Sequence, residues 1–519
     1  MYRYLCATGW FRHQRWRQAA LLGEARKIAG HYCVGQTFEH GTRPCPNEQH
    51  WSRLCLGVIA LTVCALPLST DIKNKSNERS FIVIKHPTGH VSRLLILTFG
   101  CWLSASSLAA DTWPQTEAGA EAAGFSQEGV DKLDSAMREI VADQDVAGMV
   151  WMLAKDGEVA TFESAGLARL EDNTPMTKDS LFRIYSMSKP VTGVALMMLW
   201  EDGHWDFDDP LSKFIPEFAD LQVLASYDDN GNVELEPLER QPTMRELLNH
   251  TAGFGYGLFG DDPVNTAFRD QAVLASSDLD ELVAKVADIP LLAQPGAQWY
   301  YSIGVDIQGY IVQQITGMSF GEFLRTQLFE PLDMMDTRFY VAPEDQARFA
   351  EVHYWDTERN QLAQQPHRAD RPSYLDPDRI ESGGGGLVSS THDYARFIQM
   401  LVNEGELEGT RILSPESVRI MRTNSLTGEE SMQYAIGGVG QPGVGFGVDF
   451  AVTYDPQAAG TPAGPGTYNW AGAAGTAFWI DPANNIFWLS MIQAQGQRRP
   501  GAANMGEVAR NLIYQGLQP

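Results

Sequence analysis

Cysteine is missing from most of this chain. All six cysteines (Cys6, Cys33, Cys45, Cys55, Cys64 and Cys101) lie in the first 101 of 519 residues. Beyond them no disulfide, thiolate metal site or cysteine nucleophile is possible. Lysine is missing from the last part, where none follows Lys285. No H-E-x-x-H occurs, so that zinc-protease signature is excluded. Basic charge is scarce: 39 Lys and Arg stand against 65 Asp and Glu, for a net charge of −26. The deficit is uneven, because residues 111–519 carry 26 basic and 60 acidic side chains. A chain that acidic repels nucleic acid and anionic membrane, and its charge is read as a solvated surface. Internal repeats and low-complexity segments are also absent.

Long apolar runs are short of a membrane span. Residues 91–110, VSRLLILTFGCWLSASSLAA, have the layout of a secretory signal. Arg93 supplies the positive end, Leu94–Leu103 the apolar stretch and SASSLAA the small-residue cleavage region. The apolar stretch is too short to cross a bilayer. Cleavage after Ala109 or Ala110 leaves a mature chain starting near Asp111. The expectation is a bacterial periplasmic or secreted protein without stable membrane insertion of the mature chain. Residues 1–90 are basic, rich in Cys, His and Arg, and aperiodic. They are read as a non-native or disordered extension, with Val91 as the initiator.

The mature part alternates helix and strand signals. Residues 126–144 form a helix capped by Ser126, and two β-rich runs then flank Asp156-Gly157, a hairpin signal. From 204 to 386 the pattern is mostly helices and loops, with helices at 243–254, 278–288, 304–316 and 319–328. SGGGG at 382–386 reads as a flexible turn. Two amphipathic helices follow. Then YNWAGAAGTAFWID and NNIFWLSMIQ form a hairpin around Pro-Ala-Asn-Asn, and a final helix covers 503–516. Strands at both ends with helices between predict an α/β (α+β) fold: one antiparallel sheet flanked by helices. Residues 111–203 and 387–519 form the sheet domain, and 204–386 an inserted, mostly helical one.

Ser186-Met187-Ser188-Lys189 is the segment that points to chemistry. Residues three apart on a helix face the same side, so the Ser186 hydroxyl and Lys189 amine can meet. A serine becomes a nucleophile when a base takes its proton, and a desolvated lysine can be that base. Pro190 is tolerated only in a first helical turn, which puts Ser186 at the helix start. The apolar run 191–200 makes that helix hydrophobic nearly all round, hence buried. Tyr301, in QWYYSIGVDIQG, is a second candidate. As a phenolate near Lys189 it can take the Ser186 proton and pass it to a leaving group, although Tyr300 is not separable from it by sequence. Trp470-Ala471-Gly472 opens a strand beside the site, where glycine permits close backbone approach. The Ser186 and Ala473 amides can form an oxyanion hole. His250 reads as structural. Gly438–Gly443 fits G-x-G-x-x-G without a following helix, which argues against a dinucleotide site.

Five segments together resemble one family: DSLFRIYSMSKPVTGVALMML, TMRELLNHTAGF, PGAQWYYSIGVDIQG, ESGGGGLVSSTHDYARFIQMLVNEGEL and WAGAAGTAFWIDP. They look like the serine β-lactamase and penicillin-binding-protein superfamily, in its class C-type branch near the family VIII carboxylesterases. The likeness runs from about residue 120 to the C-terminus. It implies a β-lactamase/transpeptidase-like fold, with Ser186 as the acylated nucleophile, Lys189 as its base partner and Tyr301 as the second-motif tyrosine. It also implies substrate contacts from Trp470, Ala471 and Gly472. Two departures stand out. Ile303 occupies the position of the usual Y-x-N asparagine, and no K-[ST]-G is possible without a lysine. An aromatic wall at Trp470 in place of a cation shifts the expected substrate from anionic lactams to neutral esters. The expected function is hydrolysis of small carboxylic esters through an acyl-enzyme, without metal or cofactor, on a small-molecule ester or amide. A β-lactamase or D-Ala-directed peptidase, an acyltransferase, and a non-catalytic binder on the same scaffold remain open.

Overall fold

Asp156 and Gly157 both take positive φ (+53° and +83°), the backbone of a tight hairpin turn. They join strand β1 (Gly148–Lys155) to β2 (Glu158–Arg169). In the computed structural model, residues 113, 114, 117–228, 231–366, 372–426, 435, 436 and 439–518 are described. The expected extension at 1–90 and signal at 91–110 lie outside them. The other strands of the main sheet are β3 (Thr174–Pro175), β4 (Val444–Phe446), β5 (Ala451–Thr453), β6 (Thr467–Ala471), β7 (Ala477–Asp481) and β8 (Ile486–Ile492). They run antiparallel in the order β4-β5-β6-β7-β8-β1-β2-β3. The first and last long strands meet at the centre, with Met149 opposite Ile492 and Lys155 opposite Ile486.

Side chains alternate across a strand, and both faces of β1 are covered. Trp151 and Leu153 pack with Trp479, Trp488, Met137 and Ile513, beneath helices α1 (Gln127–Ala142) and α6 (Met505–Gly516). Val150, Met152 and Ala154 join the larger core on the other face, with α2 (Ser188–Glu201) and α5 (Thr391–Val402). That core also takes in Leu247 of α3 (Met244–Leu248), Ile307 of α4 (Gly304–Thr316), Phe320 and Trp470. A short ribbon pairs Leu181–Arg183 with Val388–Ser390. It ties the segment before Ser186 to the end of the glycine loop.

Helix starts transferred well, although α3 ends at Leu248, short of the expected 254. Ser126 caps α1 by accepting from the Gly129 amide, and Thr243 and Glu246 form a capping box on α3, as such side chains do at helix starts. Strands beyond Asn403 were less legible. Residues 467–481 are two strands, because Gly472–Thr476 turns the chain back with Gly475 at φ +84°. Trp470 and Ala471 therefore close a strand and do not open one. β4 and β5, three residues each, are too short to show a period.

His353 predicts an acid sensitivity. It lies in the ribbon strand His353–Asp356, 2% exposed, with its amide donating to the Gln493 carbonyl at 2.8 Å. Burial disfavours the imidazolium and pushes its pKa down to about 4. Above about pH 6.5 both folded and unfolded forms are neutral and the residue is silent. Below that the unfolded chain takes up a proton that the folded one refuses, so stability falls until about pH 4. From pH 7 to 4.5 the loss should be about 2–3 kcal/mol for this residue. Urea unfolding at the two pH values measures it, and His353→Gln should shrink the drop. An equal drop in the variant would assign the acid sensitivity elsewhere.

Candidate active site

Ser186 sits in a 3-10 turn, Tyr185–Met187, that runs into α2. Tyr185 takes φ +43°, a strained setting for a non-glycine residue. The turn is pinned on both sides. The Ile184 amide donates to the Leu387 carbonyl (3.1 Å), the Leu387 amide to Ser188 Oγ (3.1 Å), and Tyr394 Oη to the Met187 carbonyl (2.8 Å). Half-buried Ser186 is left with one side-chain bond: its Oγ accepts from Tyr301 Oη at 2.8 Å.

Lys189, one turn on, is fully buried. It makes no hydrogen bond to Ser186. Its Nζ donates to the Gly384 carbonyl (2.6 Å) and to Tyr256 Oη (3.0 Å), and lies 4.7 Å from the Tyr301 ring centre. Burial works to lower the Lys189 pKa. The Tyr256 and Tyr301 phenol oxygens and the Asp306 carboxyl overcome that and hold it above its ordinary value. Asp306, also buried, accepts from Ser382 Oγ and from the Gly384 amide (3.2 Å). Burial pushes the Asp306 carboxyl up, and Lys189 opposes this. Asp449, bonded by Gln308 Nε2 at 3.2 Å, is raised in the same way with Lys189 again in opposition. One ammonium thus faces two buried carboxyls.

Tyr301 is held by rings. His250, Tyr256 and Trp470 lie 5.1, 5.5 and 5.6 Å from it, centre to centre, and Trp299 is stacked at 6.4 Å. Phe259 reaches it from the 255–275 segment at 6.4 Å. His250 is structural: Nδ1 meets Ser302 Oγ at 2.9 Å and accepts from the Ser302 amide at 3.3 Å. Burial keeps its ring neutral. Ser302 follows Tyr301 directly, so the histidine fixes the backbone that carries the phenol.

Trp470 stands behind Tyr301, nearly buried, and Ala471 and Ala473 are exposed. Gly472 packs against the turn before Ser186. A Cβ there would lie 2.4 Å from the Ile184 carbonyl oxygen and 2.3 Å from Thr476 Oγ1, and the second atom itself bonds Ile184 O at 3.4 Å. Gly472→Ala should therefore push this turn off the Ser186 segment. We expect a loss of about 1–3 kcal/mol in stability and a drop in kcat, read by thermal unfolding and steady-state kinetics. Unchanged values would show that the contact positions nothing.

Tyr256, Asp306 and Gly384 escaped the sequence reading. Asp306 had a signal: a carboxylate inside the apolar run GVDIQGYIV needs a partner. The SGGGG segment is packed against this network. A Cβ on Gly384 would meet Asp306 Oδ2 at 2.3 Å and Tyr256 Oη at 2.7 Å. Gly317-Met318-Ser319-Phe320-Gly321 fits G-x-S-x-G but is no nucleophile elbow, which lies between strand and helix. It follows helix α4, and Ser319 caps the next helix by accepting from the Glu322 amide. After Gly443 the chain enters β4, a strand, so the G-x-G-x-x-G match lacks its helix. Among the described residues no His, Cys, Asp and Glu cluster suits a metal, and no helix is long and apolar enough to cross a membrane.

An antiparallel sheet with helices on both faces and an S-x-x-K serine at a buried helix start defines the β-lactamase/transpeptidase-like class of serine hydrolases. The profile of the Beta-lactamase family matches residues 133–509, and the chain belongs to that family. It is 34% identical over 368 residues to Protein Rv1367c of Mycobacterium tuberculosis, covering 70% of this chain and 90% of that protein. It is 31% identical over 361 residues to Esterase EstB of Burkholderia gladioli (66% and 85% covered). Among solved structures, EstCE1, "a hydrolase with promiscuous acyltransferase activity", superposes with a TM-score of 0.62 at 24% identity, covering 75% of this chain and 99% of that one.

Proposed function

We propose that this protein is an exported carboxylesterase that cleaves small esters through an acyl-enzyme on Ser186. The observation that carries the reading is the 2.8 Å bond between Tyr301 Oη and Ser186 Oγ beside the Lys189 ammonium. For this step Tyr301 acts as a phenolate, its own proton having left to solvent: Ser186 Oγ attacks the ester carbonyl carbon while its proton passes to that phenolate oxygen. The Lys189 cation next to the ring stabilises negative charge on that oxygen. The Ser186 and Ala473 amides receive the carbonyl oxygen as it becomes an oxyanion. As the ester C–O bond breaks, Tyr301 returns the proton to the departing alcohol. Water then enters by the same route and releases the acid from Ser186. Trp470, Ala471 and Gly472 border the substrate.

Ester preference is supported by the missing third-motif lysine and by the esterase relative from Burkholderia gladioli. Export is supported by the signal-like stretch 91–110. Transfer of the acyl group to an alcohol or amine in place of water is the second reading, favoured by the acyltransferase activity named for EstCE1. The test compares 4-nitrophenyl butyrate, nitrocefin and a D-alanyl amide, each with and without added alcohol. We expect the ester to lead in kcat/KM. Nitrocefin or the amide leading would replace the esterase reading with a β-lactamase or peptidase one. Ester product formed at the expense of acid would support the transferase.

A further inference from the structure

Two arginines stand apart from all the others. Among the described residues every arginine has an ion pair or a backbone carbonyl partner, except Arg498 and Arg510. Both line one cavity of about 400 Å³. It runs from Trp479 and Trp488, on the sheet face covered by α1 and α6, to the turn at Trp470–Ala473. Asn469 and Trp479 are direct cross-strand partners there, and Trp488 is the next partner of Trp479. The N-terminal half of α6 closes the other side with Met505, Gly506 and Arg510.

The wall combines unused donors with apolar surface. Arg510 Nε and Trp479 Nε1 are both buried and have no hydrogen-bond partner. A buried donor left unpaired is unfavourable, so such pairs mark a place where an acceptor is gained. The carboxylates nearby are committed or out of reach. Asp481 is taken by Gly464, Asn484 and Tyr514. Glu507, a turn before Arg510, is bonded by Asn504 Nδ2 at 3.4 Å and makes no ion pair with it. Burial also works against the Arg510 charge, with only Tyr514 and Glu507 opposing. On a chain with net charge −26, two uncompensated guanidiniums in one cavity are not surface background. Guanidinium is a planar fork that matches a carboxylate, and Trp479, Trp488 and Met505 offer an apolar bed beside it.

We propose that this cavity binds a free organic carboxylate, with its anionic head on Arg510 and Arg498 and its apolar body against Trp479 and Trp488. The cavity also reaches Trp470–Ala473 beside Ser186, but the proposal rests on the two arginines and not on the esterase reading. The test titrates 4-fluorobenzoate against the full chain, followed by ¹⁹F NMR. Binding should be equal in wild type and Ser186→Ala, and should survive a fluorophosphonate adduct on Ser186. Arg510→Met and Arg498→Gln should each weaken it at least tenfold, while 4-nitrophenyl butyrate turnover stays within twofold. The neutral 4-fluorobenzamide should not bind. Unchanged affinity in the arginine variants, equal binding of the amide, or loss of binding when Ser186 is blocked would each overturn the proposal. Arg498 is exposed, so its variant reads the site even if Arg510→Met does not fold.

Discussion

Ser186→Ala should lower 4-nitrophenyl butyrate turnover by about 10⁴-fold or more, the scale seen when a hydrolase nucleophile is removed. The loss should fall on kcat, because the rings around Tyr301 and the turn at Gly472 do not touch the deleted oxygen. Neither neighbouring serine can take over. Ser188 is fully buried and its Oγ accepts from the Leu387 amide. Ser302 is bound to His250. The fold should survive, since Ser186 Oγ has only the Tyr301 bond and losing one such bond costs about 0.5–1.5 kcal/mol. Intact mass after fluorophosphonate treatment gives the complementary result: one adduct on wild type, none on the variant. Full activity, or an adduct on the variant, would move the nucleophile elsewhere.

Where the sequence was legible, one physical constraint acted locally. Pro190 fixed a helix start, Asp156-Gly157 fixed a hairpin, and the apolar run behind Lys189 fixed a buried helix. Ser186, Lys189, Tyr301 and Trp470 could be named because each sits in a segment of family-like sequence. Residues whose purpose lies only in a partner far along the chain were missed. Gly384 is 195 residues from Lys189, yet its carbonyl holds the ammonium. Read locally, SGGGG says only that the backbone is free to bend. The reason for Gly384 is the space occupied by Asp306 and Tyr256, and for Gly383 that of the Val305 carbonyl. Direct contact of Ser186 with Lys189 was a plausible reading of i,i+3 spacing. Ser186 belongs to a 3-10 turn ahead of the α-helix, and the hydrogen bonds divide: Ser186 Oγ pairs with Tyr301, and Lys189 Nζ with Gly384 and Tyr256.

Tyr301→Phe and Lys189→Met separate proton transfer from charge balance. The phenylalanine keeps the ring among His250, Tyr256, Trp299 and Trp470 and removes one oxygen. Its kcat should fall by about 10²–10⁴-fold, the range for losing a general acid–base group, with KM and stability little changed. Lys189→Met should lose activity and also fold stability, because the buried Gly384 carbonyl and Tyr256 Oη then lose their donor. A buried polar group left without its partner costs about 1–3 kcal/mol. The pH dependence follows from the direction of the lysine shift. A folded-state value held above the unfolded lysine value of about 10.4 means both states carry the proton at any lower pH. Its contribution is then complete there, and fades only as pH rises past that value. The stability gap between wild type and Lys189→Met should therefore stay flat from pH 6 to 9 in urea unfolding. A gap that widens as pH rises across that window would mean Lys189 is neutral near pH 7. The proton would then be taken from Ser186 by the lysine, with Tyr301 as its relay, in place of a phenolate steadied by a permanent cation.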